Sequence, residues 1–353
     1  TVGVNMKESF ILCSSCFSNQ GLKISAQKLG IKNDMRCTNC EDTKGYKLTK
    51  SILEDLAHQF FVMGSGVKGD YGGAPRIKFN EYQETSIVCT DDINQDIRLF
   101  EKYLKVGFFH YGPRLWTLGY ITPLEDLQDK DKRMEVIKRI ISEYPILELD
   151  TSKIFYRLRV APSEPSNIGE YDSSPFPGKG RLDSEGFKIF YASQDLEVCI
   201  HECRVSVTDE LYVATIRPLK NLKMLDLSTE ILENVTEFES LNISLIMLFY
   251  AGKHSYEILR LLSLEAYKKG FDGIIFPSFF TQARLGALPS PSTYQSLNNN
   301  IDDFREIEES GKIPNIAIFG QPIEDKLVEV LSINKLFLNR VVYDYFFGPA
   351  DVN

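Results

Sequence analysis

The stretch Lys153-Ile154-Phe155-Tyr156-Arg157-Leu158-Arg159-Val160 alternates with a period of two. Ile154, Tyr156, Leu158 and Val160 fall on one face, and Phe155, Arg157 and Arg159 on the other, which predicts a β-strand. The character of the chain changes here: helical spacing dominates before it, and short strands mixed with helices follow. Two guanidinium groups on one face of a half-buried strand are costly unless an anion or an acidic side chain meets them. The chain has 49 acidic residues, so spacing alone does not choose between internal salt bridges and a ligand.

Downstream, a loop rich in Pro, Ser and Gly runs over 161–180 and leads into Gly178-Lys179-Gly180-Arg181, where glycines allow close backbone approach to a ligand. Residues 188–192 read as a second strand, with Tyr191 and Phe190 on opposite faces. Residues 195–204 read as a helix that Ser193 can cap. Leu196, Cys199, Ile200 and Cys203 form its expected buried stripe, with Glu202 at the edge of that stripe. A third strand is expected over 211–216, then helices over 240–251 and 255–269, the latter stopped by Gly270. Strands over 273–276 and 315–319 flank a polar insertion carrying Pro289, Pro291 and Asn298 to Asn300. Pro277 keeps Phe276 extended and leaves Ser278 at a strand end. Taken singly, a helix-flank glutamate is most often solvated and such a serine most often belongs to a turn.

Upstream, Cys13-Ser14-Ser15-Cys16 and Cys37-Thr38-Asn39-Cys40 form two CxxC pairs with 20 residues between them. Each pair sets two thiolates in one tight knuckle, and two knuckles supply the four sulfur ligands of a closed structural Zn²⁺ site. Four of the seven cysteines in this pattern fit a reducing compartment better than a disulfide framework. Amphipathic helices are expected over 49–61, 91–104 and 131–144, with a Gly-rich break over 64–73 and a strand-like patch over 87–89. His110, among aromatic neighbours, reads as structural.

A chain of 353 residues is long enough for two domains, or for one with an appendage. Its hydrophobic fraction of 43% and charged fraction of 25% are ordinary for a globular protein. A formal net charge of −9 argues against broad electrostatic binding to nucleic acid or to an anionic membrane. A polyanionic ligand therefore needs a local cluster of Arg or Lys. The best apolar run, 245–251, falls far short of the roughly 20 residues of a membrane helix. Residues 1–10 show no signal-peptide pattern, so the cytoplasm is the expected location.

Read together, six pieces of text resemble the RES domain, a family of bacterial toxins with an ADP-ribosyltransferase-like fold. They are Phe155-Tyr156-Arg157-Leu158-Arg159, Gly180-Arg181-Leu182-Asp183-Ser184-Glu185-Gly186, Ile189-Phe190-Tyr191-Ala192-Ser193, His201-Glu202, Gly273-Ile274-Ile275-Phe276-Pro277-Ser278 and Asn315-Ile316-Ala317-Ile318-Phe319. Order and approximate spacing agree over about 150–333, and the combination is far more specific than any one piece. The resemblance implies an α+β architecture: a catalytic domain over 151–353 with split mixed β-sheets. Before it stand a zinc-ribbon-like four-cysteine module over 1–46 and a mainly helical domain over 47–150, which together resemble the HEPN/RES N-terminal region found before some RES domains.

The resemblance also implies that NAD⁺ is consumed by cleavage of its nicotinamide–ribose bond. The family's functional Arg falls on Arg157, its loop Arg on Arg181, its Tyr on Tyr191, its Glu on Glu202 and its Ser on Ser278. Glu202 would stabilise the oxocarbenium-like ribose, and Arg157 and Arg181 would hold the diphosphate. Tyr191 would stack on nicotinamide or ribose, Ser278 would bind near the nicotinamide ribose, and Tyr156 counts among the substrate-binding residues. The family commonly has an aromatic residue and Asn after the loop Arg, whereas this chain has Leu182 and Asp183. A toxin implies an antitoxin or immunity protein, or a trigger such as phage infection; self-association is a further expectation. Two other readings stand beside the NAD⁺ glycohydrolase or phosphorylase: a mono-ADP-ribosyltransferase acting on a protein, and a non-catalytic zinc-ribbon interaction protein that binds a nucleotide.

Overall fold

The computed structural model describes residues 9–64, 75–78, 85–110, 121–278, 313–342, 345 and 347–350. The chain forms two compact units, one of Thr1–Thr117 with Tyr343–Asn353 and one of Leu118–Val342. The insertion that carries Pro289, Pro291 and Asn298 to Asn300 lies outside the described residues.

In the first unit β1 (Leu12–Cys13) pairs antiparallel with β2 (Lys47–Leu48), and α1 (Gln20–Leu29) lies between them in sequence. Asn19 starts α1 by accepting the Leu22 N–H at 3.1 Å. Helix α2 (Lys50–Ala57) is capped by Thr49 and runs on as a π-helical segment, His58–Met63, so the helix expected over 49–61 widens in its second half. Helix α3 (Asp91–Leu104) has the expected bounds. Its Ile93, Ile97, Phe100 and Leu104 form one buried stripe, and Phe100 meets Phe17 and Phe61, each at 5.6 Å between ring centroids.

Strand β3 (Pro75–Lys78) pairs with β4 (Gly107–His110). Ile87 and Cys89 form no strand but are buried in the same core, so their apolar character reflects burial rather than a ladder. Among the described residues that core joins Leu12 and Phe108 in one cluster. The four-cysteine segment thus shares a core with the helices that follow it, and β2, just beyond residue 46, pairs back to β1.

The second unit is α+β. It begins with α4 (Thr122–Gln128), α5 (Arg133–Glu143) and β5 (Ile146–Leu149). A boundary at 150/151 would place these three in the preceding domain, but α4 packs on the later α7 (Leu241–Tyr250), and α5 on α8 (Tyr256–Lys268). Then come β6 (Phe155–Val160), β7 (Ile189–Ser193), α6 (Leu196–Cys203), β8 (Leu211–Pro218) and β9 (Leu222–Asp226). After α7 and α8 the unit ends with β10 (Gly273–Pro277), β11 (Pro314–Phe319) and β12 (Val328–Leu336).

Eight strands lie in the order β12-β8-β6-β7-β11-β10-β9-β5. The sheet is mixed, because β9 and β10 run parallel while their neighbours run antiparallel. Pairing is continuous on either side of one weak joint. Strand β6 shares six residue pairs with β8, and β7 shares five with β11, yet β6 meets β7 through Tyr156↔Ser193 alone. The expected split falls at this joint, with three strands on one side and five on the other. Among the described residues no helix is long and apolar enough to cross a membrane.

Candidate active site

Where β6 and β7 part, backbone groups that a ladder would have paired need other partners. Arg157, the residue after the single pair, supplies one: its Nη1 donates to the Tyr191 carbonyl at 2.6 Å and its Nη2 to the Asp172 carbonyl at 2.8 Å. The guanidinium lies 4.2 Å from the Phe190 ring centroid, is only 4% exposed, and its Nε has no hydrogen-bond partner. Burial, with Arg159 beside it, holds the Arg157 pKa well below its ordinary value, opposed by Asp172. Arg159 donates to the carbonyls of Glu170 and Asp172. Among the described residues neither arginine forms an ion pair; backbone carbonyls hold both, with the charge of Asp172 nearby.

The split opens into a cleft of about 440 Å³. Its charged lining is Arg157, Arg159, Lys179 and Arg181 against Asp183 and Glu202. This is the local cationic cluster that an acidic chain needs to hold a polyanion. Arg181 lies with its guanidinium 5.7 Å from the Phe249 ring centroid. Tyr191 also lines the cleft. Its hydroxyl donates to Asp183 Oδ1 at 2.8 Å and accepts the Leu182 N–H at 2.9 Å. Burial, and then the charge of Asp183, push the Tyr191 phenol far above its usual range, so it keeps its proton and ties the loop. The ring, not the hydroxyl, is left to meet a ligand.

Burial alone would raise the Asp183 carboxyl, but donors from Gly178, Tyr191 and Gly180 outweigh it and hold the group below its ordinary value. Gly180 has no room for a side chain here, because a Cβ would stand 1.9 Å from Asp183 Oδ1 and 2.9 Å from the Tyr191 hydroxyl. Gly180→Ala is therefore expected to displace Asp183 and to lower the stability of this unit by about 1–3 kcal/mol. Equilibrium denaturation measures this, and an unchanged midpoint would contradict the packing just described.

Helix α6 brings Glu202 to the cleft. Asp195, rather than the expected Ser193, caps the helix by accepting the Val198 N–H at 3.0 Å. Ser193 ends β7, and its hydroxyl accepts the Asp195 N–H instead. Val198 and Cys199 are the buried residues of this eight-residue helix, while Cys203, expected in the stripe, is exposed on the cleft. Burial pushes the Cys199 thiol up to about 12 and raises that of Cys203 despite Arg157 and Arg159, so neither is a ready thiolate nucleophile.

Glu202 is exposed in the cleft, and one of its oxygens is fixed. Its Oε1 accepts from Ser278 Oγ at 2.8 Å and from Asn315 Nδ2 at 2.6 Å. Ser278 follows β10 directly and is 4% exposed. Asn315 sits in β11 opposite both Phe276 and Ser193. Arg157, Arg181, Tyr191 and Glu202 thus line one cleft, and Ser278 reaches it through Glu202. Tyr156 does not join them: it packs with Leu196 and Ile200 against Leu158 and Cys199, under α6. Asn315 and Arg260, which donates to the carbonyls of Gly178 and Gly180, are site residues that the sequence did not single out.

In the first unit the Sγ atoms of Cys13, Cys16, Cys37 and Cys40 all lie within 4.8 Å of one another. Neighbouring sulfurs stand 3.5, 3.6 and 3.9 Å apart, close to the roughly 3.8 Å edge of a tetrahedron with metal–sulfur bonds of about 2.3 Å. Asn39 Nδ2 donates to Cys16 Sγ at 3.4 Å, and Asn39 Oδ1 accepts from the Tyr103 hydroxyl at 2.8 Å. The four cysteines have the chemistry and the spacing to hold one metal ion.

No curated protein matches this chain. Among solved structures, a chain of the one described as the crystal structure of the M. tuberculosis MbcT-MbcA toxin-antitoxin complex is 12% identical, with a TM-score of 0.33. The alignment covers 57% of this chain and 91% of that one; at such a score the likeness carries no weight for function. The family model of the RES domain matches residues 154–295. That span includes Arg157, Arg181, Tyr191, Glu202 and Ser278, with Asn315 beyond it. The second unit of this chain carries a RES domain.

Proposed function

We propose that the cleft binds NAD⁺ and breaks its nicotinamide–ribose bond, as the NAD⁺-degrading activity of a toxin or defence effector. The observation that carries this reading is Glu202: a carboxylate in a cationic cleft, with one oxygen held by Ser278 and Asn315 and the cleft beside it. Departure of neutral nicotinamide leaves an oxocarbenium-like ribose, whose positive charge a fixed carboxylate stabilises without reorganising at the moment of reaction. Arg181 and Lys179 supply positive charge for the diphosphate. Arg157, with two of its nitrogens on backbone carbonyls, adds charge at the base of the cleft and holds the split open. The Tyr191 ring offers a surface for nicotinamide or its ribose.

Water as acceptor gives ADP-ribose, nicotinamide and a proton; phosphate as acceptor gives the ADP-ribose phosphate ester. As a toxin in the cytoplasm the chain would require an antitoxin or immunity protein that blocks the cleft. In the same reading the four-cysteine site holds structural Zn²⁺, and the only small molecule the chemistry needs is the NAD⁺ that is consumed.

Incubation of the purified protein with NAD⁺ tests this, with nicotinamide release followed with and without phosphate and candidate acceptor proteins. Release without a protein acceptor is expected. Release only when a protein is present, with ADP-ribose attached to it, would assign a mono-ADP-ribosyltransferase. ADP-ribose binding with no nicotinamide release would assign a non-catalytic nucleotide-binding protein.

A further inference from the structure

The turn Gly178-Lys179-Gly180 leads into Arg181, and it presents Lys179 and Arg181 to the cleft. Its backbone is gripped from two sides. Arg260, on α8, donates through Nη2 to the Gly178 carbonyl at 2.9 Å, and through Nη2 and Nε to the Gly180 carbonyl at 2.7 and 3.2 Å. The N–H groups of Gly178 and Gly180 both donate to Asp183 Oδ2, the latter at 3.2 Å. Asp183 is anchored in turn by the Tyr191 hydroxyl. Arg260 lies with its guanidinium 5.4 Å from the ring centroid of Tyr256, one helical turn back, and among the described residues it forms no ion pair.

A glycine turn with free N–H groups makes a backbone cradle for phosphate. Here a carboxylate of the chain itself already occupies that position. Phosphate binding then falls to the side chains of Lys179 and Arg181, and the turn's task is to aim them.

We propose that Arg260 and Asp183 are positioning residues that clamp this turn, and so set the affinity for the diphosphate of the ADP-ribose half rather than the rate of bond breaking. The inference rests on the NAD⁺ reading above and deepens it. It differs from a merely structural role in what it predicts for KM and kcat. It also gives a meaning to Asp183, a position at which this chain departs from the family pattern.

Arg260→Gln removes the fork that spans both carbonyls. Backbone amide exchange over 176–183 should quicken, the Kd for ADP-ribose and the KM for NAD⁺ should each rise about tenfold, and turnover at saturation should fall by less than about threefold. Arg260→Lys, whose ammonium can reach one carbonyl, should recover part of the loss. Asp183→Asn keeps the acceptor for Tyr191 but loses the charge that gathers two N–H groups, and should shift KM in the same direction. Native exchange over 176–183 in Arg260→Gln overturns the clamp. So does a fall in turnover with Kd and KM unchanged, in Arg260→Gln or in Asp183→Asn if the first variant does not fold. Native protein that binds no ADP-ribose overturns the nucleotide reading and the aiming role together. The exchange measurement, which needs no ligand, tells that failure apart from failure of the clamp.

Discussion

Glu202→Gln is expected to lower the turnover of NAD⁺ by roughly 10²–10³-fold, while folding and ADP-ribose affinity stay close to native. The variant is informative because, among the described residues, both donors to Glu202 converge on one oxygen. The amide oxygen of Gln can occupy that place and accept from Ser278 and Asn315 as before. What changes is the other position, where an NH₂ replaces a carboxylate oxygen, and the net charge. Loss of rate would then report the missing negative charge rather than a collapsed site. ADP-ribose, which has no cationic ribose, should bind both proteins alike. Nicotinamide release measured under saturating NAD⁺, with ADP-ribose titrated by calorimetry, separates the two effects. Turnover within a few-fold of native would remove Glu202 from the proposed role. Lost turnover accompanied by lost ADP-ribose binding would show that the substitution had disturbed the cleft itself.

The elements legible in the sequence are those whose burial follows a simple period. Strand β6 buries Phe155 and Arg157 on one face and Leu158 on the other, and the alternation of its residue types is legible in the text. Helix α3 has a four-residue stripe over fourteen residues, and its bounds match. Helix α6 is only eight residues long, too short for a stripe to be read reliably, and Cys203 turned outward where burial was expected.

Partners far apart in the chain left no local trace. Asn315 lies 113 residues from the glutamate it holds, and Arg260 lies 82 from the Gly178 carbonyl. Each looks like an ordinary strand or helix residue until the fold brings it round. Domain boundaries, too, depend on partners far apart in the chain. The first unit is completed by the C-terminal segment, where the Tyr345 carbonyl accepts from Lys28 at 3.4 Å across 317 positions. The site tetrad of Arg, Tyr, Glu and Ser is legible only through its combined order, because no member is distinctive alone.

Removal of the metal from the four-cysteine site is expected to unfold or loosen the first unit rather than merely to free a surface loop. The two knuckles are built into its core. Cys13 belongs to β1, Cys16 packs against the cluster that holds Phe17 and Phe100, and Gly45 approaches so closely that a Cβ there would meet Cys13 Sγ at 2.7 Å. The loop after the second knuckle closes over Lys47, fully buried, whose ammonium donates to the carbonyls of Asp42, Thr43 and Gly45 at 3.1, 3.3 and 2.7 Å. Structural zinc contributes on the order of 10 kcal/mol to folding in small domains, comparable with the whole stability of an ordinary one, roughly 5–15 kcal/mol. A hydrophobic core of this size offsets part of the loss, so a loosened state with fast amide exchange in α1 and β1 is the expected minimum effect. Elemental analysis should find one zinc per chain in native protein and none in Cys37→Ser/Cys40→Ser. The second unit has a core of its own, and its exchange pattern serves as the internal control. Metal-free protein that keeps native exchange protection in both units would show that the four sulfurs hold together without an ion, and the zinc assignment would fall.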